Sequence, residues 1–306
     1  MFFEDNSDWS RRCETIASRL THTFTDRGLR AENFGFVALR QKGANEKPDG
    51  FSYRGDWRCY PCSLVKAFHL VHVLNAIDRG NVADHAELSR AMRDMILWSS
   101  NTATNYVIDI ITGTTGDTLL EGVQFDEWRG KREQLNHFFS QLDWPEFEAC
   151  NITQKLMDDV RYGREAQYAG RGGENLNALT PLAAARLFSA LFSSEAPLSA
   201  SSEKRAQQIL LRDRTSAEAK QPHFQVEEFL GGGIPADAQI WSKAGKNTWT
   251  GDPNASYYKH DLIRVAIPGS APVIVCLMTQ GKEICEEFPE AFPAIGRLMF
   301  ETLLNN

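Results

Sequence analysis

Nothing in this sequence is apolar for the roughly 20 residues that a membrane-spanning helix needs, so no span is expected. Cationic stretches with interleaved aromatics are missing as well, and the formal charge of −7 argues against a nucleic-acid partner. There is no glycine-rich phosphate loop, no Gly-x-Gly-x-x-Gly and no Gly-x-Ser-x-Gly, so neither nucleotide binding nor an α/β-hydrolase arrangement has support. Cysteine is sparse. Cys13, Cys59, Cys62, Cys150, Cys276 and Cys285 are too few for a disulfide framework in 306 residues. Cys276, inside the apolar run Val273 to Met278, reads as a small core residue. Cys59-x-x-Cys62 has no second pair to complete a four-thiolate metal site and no thioredoxin-like surroundings, so two packed thiols are expected. His69 and His72 lack the glutamate of a His-Glu-x-x-His site, and no metal or organic cofactor is implied. The first residues, Met1 to Asp8, show no basic segment followed by an apolar one, unlike a signal peptide. A cytoplasmic protein is therefore the expectation, or a periplasmic or secreted one if a leader has been removed.

What is present is an apolar fraction of 42%, enough for one large domain or two lobes sharing a core. Trp9, Cys13, Ile16, Leu20 and Phe24 recur at helical spacing over residues 8–27. Residues 33–41 and 50–58 read as strands joined through a turn at 43–50. From Ser63 to about Arg212 the pattern is mostly helical, with segments at 63–78, 86–98, 102–112, 131–142, 151–162 and 180–193. Gly231-Gly232-Gly233-Ile234-Pro235 marks a return to strands at 238–244, 256–267 and 272–279, and a last helix is expected over 284–304.

Three short motifs carry chemistry. In Cys62-Ser63-Leu64-Val65-Lys66 a serine precedes a lysine by one helical turn, so both lie on one face. A hydroxyl becomes a competent nucleophile only when a base takes its proton, and a lysine amine serves when burial depresses its pKa. The helix that follows, with Leu70, Val71, Val73 and Leu74, is apolar all round and predicts such burial. A serine opening a helix is also an ordinary N-cap, and Ser201-Ser202-Glu203-Lys204 fits the same four-residue pattern in a polar setting, so the pattern needs company. The company is Ser99-Ser100-Asn101 between two helical segments, and Lys243-Ala244-Gly245-Lys246 on an edge-like strand whose glycine lets a substrate backbone approach.

Ser-x-x-Lys, then Ser-x-Asn, then Lys-x-Gly resembles the penicillin-recognising serine hydrolases, that is, the class A β-lactamases and penicillin-binding proteins. The likeness extends through 58–66, 87–113, 175–191 with Thr180-Pro181, and 260–281, and covers most of the chain from about Asn33 onward. It implies Ser63 as nucleophile, Lys66 as base, Ser99 as proton relay to the leaving group and Asn101 as a holder of Lys66 and of a substrate amide. It implies Lys243 as a positive charge that draws an anionic substrate, and the backbone amides of Ser63 and Lys246 as oxyanion donors. Ala244 and Gly245 would complete the substrate-binding strand.

The order of elements reads as a two-lobed α+β protein. Residues 1–58 and 213–306 would form a five-stranded antiparallel sheet flanked by the terminal helices, and 59–212 an inserted helical lobe. Departures from the family pattern concern the substrate. The Glu-x-x-Leu-Asn of the class A omega loop has no match; Glu174-Asn175-Leu176-Asn177 lies only six residues before Thr180. Lys155-Leu156-Met157-Asp158-Asp159 resembles family members without established lactamase activity. Ser100 and Ala244 replace the usual Asp and Thr or Ser, and the lost hydroxyl at 244 removes a bond to charge worth about 1.5–3 kcal/mol. The 36 residues from Ser63 to Ser99 are short for the class. The expectation is a serine acyl-hydrolase acting through an acyl-enzyme on a small, anionic lactam, amide or ester, with β-lactam hydrolysis as the leading reaction. An esterase, amidase or D-Ala-D-Ala-type peptidase is the alternative enzyme, and a penicillin-binding sensor that acylates without turnover is the alternative without an enzyme's role.

Overall fold

The computed structural model describes residues 1–43, 46–157 and 161–304. Helix α1 (Ser7–Thr23) starts where the Asn6 side chain accepts from the amides of Asp8 and Trp9, each at 3.1 Å. Its buried stripe is Trp9, Cys13, Ile16 and Leu20, and the Trp9 indole donates to the Ala38 carbonyl at 3.1 Å, which docks the helix on the sheet. Strands β1 (Phe34–Arg40), β2 (Asp49–Tyr53), β3 (Gln239–Lys246), β4 (Tyr258–Ala266) and β5 (Val273–Gln280) form one antiparallel sheet in the order β2-β1-β5-β4-β3. The class is α+β.

Period-2 alternation divides the interior. On β5, Val273, Val275 and Leu277 face α1 and α9 (Ala291–Leu304), whereas Ile274, Cys276 and Met278 face the helical block. β1 divides the same way, Phe34, Phe36 and Ala38 against Val37 and Leu39, and so reads as a continuous apolar run buried on both sides. The centre of the helical block is α2 (Val65–Asp78), buried from Val65 through Ala76. Around it stand α3 (Ala86–Leu97), α4 (Asn101–Thr112), α5 (Gly122–Ser140), α6 (Gly163–Ala169), α7 (Pro181–Leu191) and α8 (Ala200–Leu210).

Three expectations need correction. Residues 151–157 are not helical. Asparagine side chains take their amides instead: Ile152 donates to Asn136 Oδ1, Thr153 to Asn151 Oδ1, Gln154 to Asn177 Oδ1 and Leu156 to Asn105 Oδ1, at 2.9–3.2 Å. Asp158 and Asp159 lie outside the described residues. The helix expected over 131–142 begins earlier, at Gly122, because helical packing through Trp128 outweighs the cost of Gly122 and Gly130. As its polar setting fits, the segment around Ser201 to Lys204 opens a helix, α8, capped by Ser199. The last helix is broken: Glu283–Glu287 make a single π-helical turn, and Pro289, which lacks an amide hydrogen, separates it from α9.

Candidate active site

The three motifs meet where the turn before α2, the loop before α4 and the edge strand β3 come together. Ser63 sits in a 3₁₀ turn (Cys62–Leu64) that runs straight into α2, so its hydroxyl lies at the positive end of the helix dipole and is half-buried. The preceding Cys62 is held at φ +48°, a conformation non-glycine residues rarely take. His260 fixes this approach from the sheet. Its Nδ1 accepts from the Thr279 amide at 3.1 Å, so the other ring nitrogen carries the hydrogen and donates to the Tyr60 carbonyl at 2.9 Å. Cys62 Sγ points at the Tyr258 carbonyl, 3.8 Å away. Cys59 and Cys62 are free, buried thiols, and burial pushes both pKa values up, away from a reactive thiolate.

Lys66 is wholly buried and gathers the second motif around it. Its ammonium donates to the Ser99 carbonyl at 2.5 Å, to Ser99 Oγ at 3.1 Å and to Asn101 Oδ1 at 2.8 Å. Ser99 offers both oxygens to one cation because its backbone is left-handed (φ +54°). Ser100 then caps α4 through the Ala103 amide at 3.1 Å, the role its side chain takes here.

On the sheet side, Gly245 lies against the turn that carries Ser63. A side chain there would bring its Cβ to 2.6 Å from Ser63 N and 2.9 Å from Cys62 Cβ. The glycine was expected to admit a substrate backbone; what it admits is the backbone of Ser63. Ala244 is wholly buried, with its methyl in the apolar cluster under α1 and α9. Lys246 is exposed and pairs with Glu228 at 2.8 Å. Lys243 is fully buried. It donates to Gln225 Oε1 at 2.7 Å and to the Ala244 carbonyl, and burial, then the charges of Lys66 and Arg212, hold its pKa well below the usual lysine range.

Sequence reasoning passed over two of these partners. Arg212 commits its guanidinium to Ser242 Oγ and O and to the carbonyls of Ile96 and Leu97 at 3.0–3.2 Å, tying β3 to the end of α3. Burial lowers its pKa to about 10. Gln225 stands in an irregular stretch with φ +58° between buried Phe224 and Val226. Neither carries a sequence signal, since each acts through one long side chain in a segment without periodicity.

Elsewhere in the helical block, two glutamates have protein partners. Glu165 forms a wholly buried bidentate pair with Arg132 at 2.8 and 2.9 Å, and Glu174 accepts from the Gly172 amide at 3.2 Å. His69 and His72 lie in the core; His69 has no hydrogen-bond partner at either nitrogen among the described residues. No group of three or more His, Cys, Asp or Glu side chains among the described residues is arranged to hold a metal.

A family model described as the beta-lactamase enzyme family matches residues 82–303, almost three-quarters of the chain. The chain belongs to the beta-lactamase enzyme family. The matched region holds Ser99 to Asn101 and Lys243 to Lys246 and begins after α2, so Ser63 and Lys66 precede it. Membership assigns the chain to serine β-lactamase-like hydrolases at family level. Solved structures give the same fold at low identity. A β-lactamase from Xanthomonas campestris pv. campestris superposes with a TM-score of 0.66 at 17% identity, covering 95% of this chain and 98% of the other. The class A β-lactamase of the last common ancestor of Gram-negative bacteria superposes at 0.62 with 18% identity, covering 94% and 98%. A tryptophan-to-aspartate mutant of that ancestral enzyme gives 0.61 at 20% identity, covering 94% and 97%. A search of curated proteins gives no match.

Proposed function

We propose that this β-lactamase-family chain is a serine acyl-hydrolase that forms an acyl-enzyme on Ser63. The observation that carries the reading is the junction at Lys66, where one buried cation, a helical turn from Ser63, binds both Ser99 and Asn101. In its neutral form the Lys66 amine takes the Ser63 proton as Oγ bonds to the substrate carbonyl carbon. The oxyanion that forms lies between the backbone amides of Ser63 and Lys246, which the close approach of Gly245 supports. Collapse breaks the C–N or C–O bond, and the proton passes from Lys66 through Ser99 Oγ, 3.1 Å away, to the leaving group. Water then cleaves the Ser63 ester. The substrate class is a small amide, lactam or ester, with a β-lactam as the leading named case and a simple ester, amide or D-Ala-D-Ala-type peptide as the alternative.

A second reading, acylation without turnover as in a penicillin sensor, gains support from Glu165, whose wholly buried carboxylate is held by Arg132 and is not free to activate a deacylating water. Intact-protein mass spectrometry after exposure to a penicillin and to activated esters tests both. A mass gain that is absent in Ser63→Ala supports the acyl-enzyme. Its decay with product release supports a hydrolase, its persistence a sensor, and no adduct with any reagent refutes both.

A further inference from the structure

The sheet-side cation is closed to a substrate. Lys243 has no solvent-exposed surface, and its ammonium already serves Gln225 Oε1 and the Ala244 carbonyl. A carboxylate that sought this charge would have to displace Gln225. Gln225 does not hang loosely over it. The residue is fixed in the left-handed region between two buried anchors, Phe224 and Val226, an arrangement that holds its side chain against the lysine. The neighbouring cations are engaged too: Lys246 with Glu228, and Arg212 with Ser242 and the end of α3. A cavity of about 440 Å³ is lined by Trp98, which precedes Ser99 in the chain, and by Ala217, Glu218, Gln221 and His223, and its lining includes neither lysine nor arginine.

We infer that Gln225 is a specificity-determining residue that sets the site for substrates uncharged on the leaving-group side, neutral esters or amides rather than the anionic substrate that Lys243 alone would suggest. The inference rests on the acyl-enzyme reading of Ser63. Two of the three Lys243 N–H donors are already held by protein acceptors, the ammonium has no exposed surface, and a carboxylate must shed its water and displace the Gln225 side chain to approach.

The test uses the full chain and a matched pair of esters with the same phenylacetylglycyl acyl group. One leaves as 3-hydroxybenzoate, which is anionic, the other as methyl 3-hydroxybenzoate, which is neutral. Acylation rates at Ser63 are read by quenched-flow mass spectrometry. The wild-type chain should acylate with the neutral ester at least about tenfold faster than with the anionic one. Gln225→Ala should shrink that ratio by about fivefold or more by baring the ammonium. Gln225→Asn, which tolerates the left-handed backbone and is too short to span to Lys243, should do the same and guards against a folding defect at Ala. Preference of the wild type for the anionic ester, or an unchanged ratio in both variants, overturns the inference and leaves the acyl-enzyme standing. Acylation by neither ester overturns the acyl-enzyme reading and this inference with it.

Discussion

Replacing Gly245 with alanine tests the geometry on which the chemistry depends. The new Cβ would stand 2.6 Å from Ser63 N, whereas an ordinary contact begins at 3.4 Å, so the turn that carries Ser63, the proposed nucleophile, must retreat by roughly 0.8 Å. The clash is with backbone and with Cys62 Cβ at 2.9 Å, not with the movable end of a long side chain, so no rotamer change relieves it. An oxyanion donor works at about 2.7–3.1 Å from the developing charge, and a shift of that size takes the Ser63 amide out of range. Loss of one such donor costs about 10²–10³ in rate, or ~2.7–4 kcal/mol, while the overpacking itself costs about 1–3 kcal/mol of stability. The control is Gly130→Ala in α5, an exposed helix position where a Cβ meets nothing within 4 Å. That change should raise stability by up to about 1 kcal/mol and leave acylation as it was. Rates of Ser63 acylation by an activated ester are measured below the melting temperature of each variant. If folded Gly245→Ala acylates within a few-fold of wild type, the Ser63 amide does not hold the oxyanion and the proposed site is wrong in its central feature.

Two further outcomes follow from buried charge. His69, His72 and His260 are kept neutral by burial, with pKa values lowered to about 3, about 4 and about 4, against about 6.5 when unfolded. Their stabilising effect is complete above pH 6.5 and is lost as the pH falls, because the unfolded chain then takes up three protons that the folded chain refuses. Asp261, raised by burial to about 7, keeps a proton that the unfolded carboxyl has given up and offsets one of them. The net uptake, just under two protons near pH 5, predicts a loss on the order of 2 kcal/mol per pH unit as the pH falls through about 5, read from urea midpoints, and a flat profile would contradict it. Arg132→Met strands Glu165 in a dry interior and should cost about 3–5 kcal/mol, whereas Arg132→Met with Glu165→Leu should recover most of it; equal losses in both would show that the pair's charge is not the issue.

Much of the fold was legible because its period-2 and helical patterns are clean: β1 and β5 are buried on both faces, and α2 is apolar nearly all round. The failures share one cause, side chains that replace the backbone's usual partners. Asn105, Asn136, Asn151 and Asn177 take the amides of 152–156 and cancel a helix that the pattern alone favours. The three motifs converge at Lys66 and at the Ser63 turn, but the reason for Gly245 was not in them. Periodicity and composition say nothing about which backbone approaches a glycine.

The candidate site is also where local preference is most often overruled. Of the seven non-glycine residues with positive φ among the described residues, three border it: Cys62, Ser99 and Gln225. A residue in this conformation costs about 1–3 kcal/mol unless its surroundings impose it. At each of the three the imposed conformation has a visible product. Cys62 turns the chain so that Ser63 leads into α2 with its amide beside Gly245. Ser99 presents its carbonyl and its hydroxyl to the same ammonium. Gln225 presses its amide oxygen onto Lys243. A glycine in any of these positions would ease the backbone, and at 99 and 225 it would also delete the side chain that meets the lysine. The sequence therefore carries serine and glutamine where backbone chemistry alone would select glycine, because those side chains hold the two buried lysines in place.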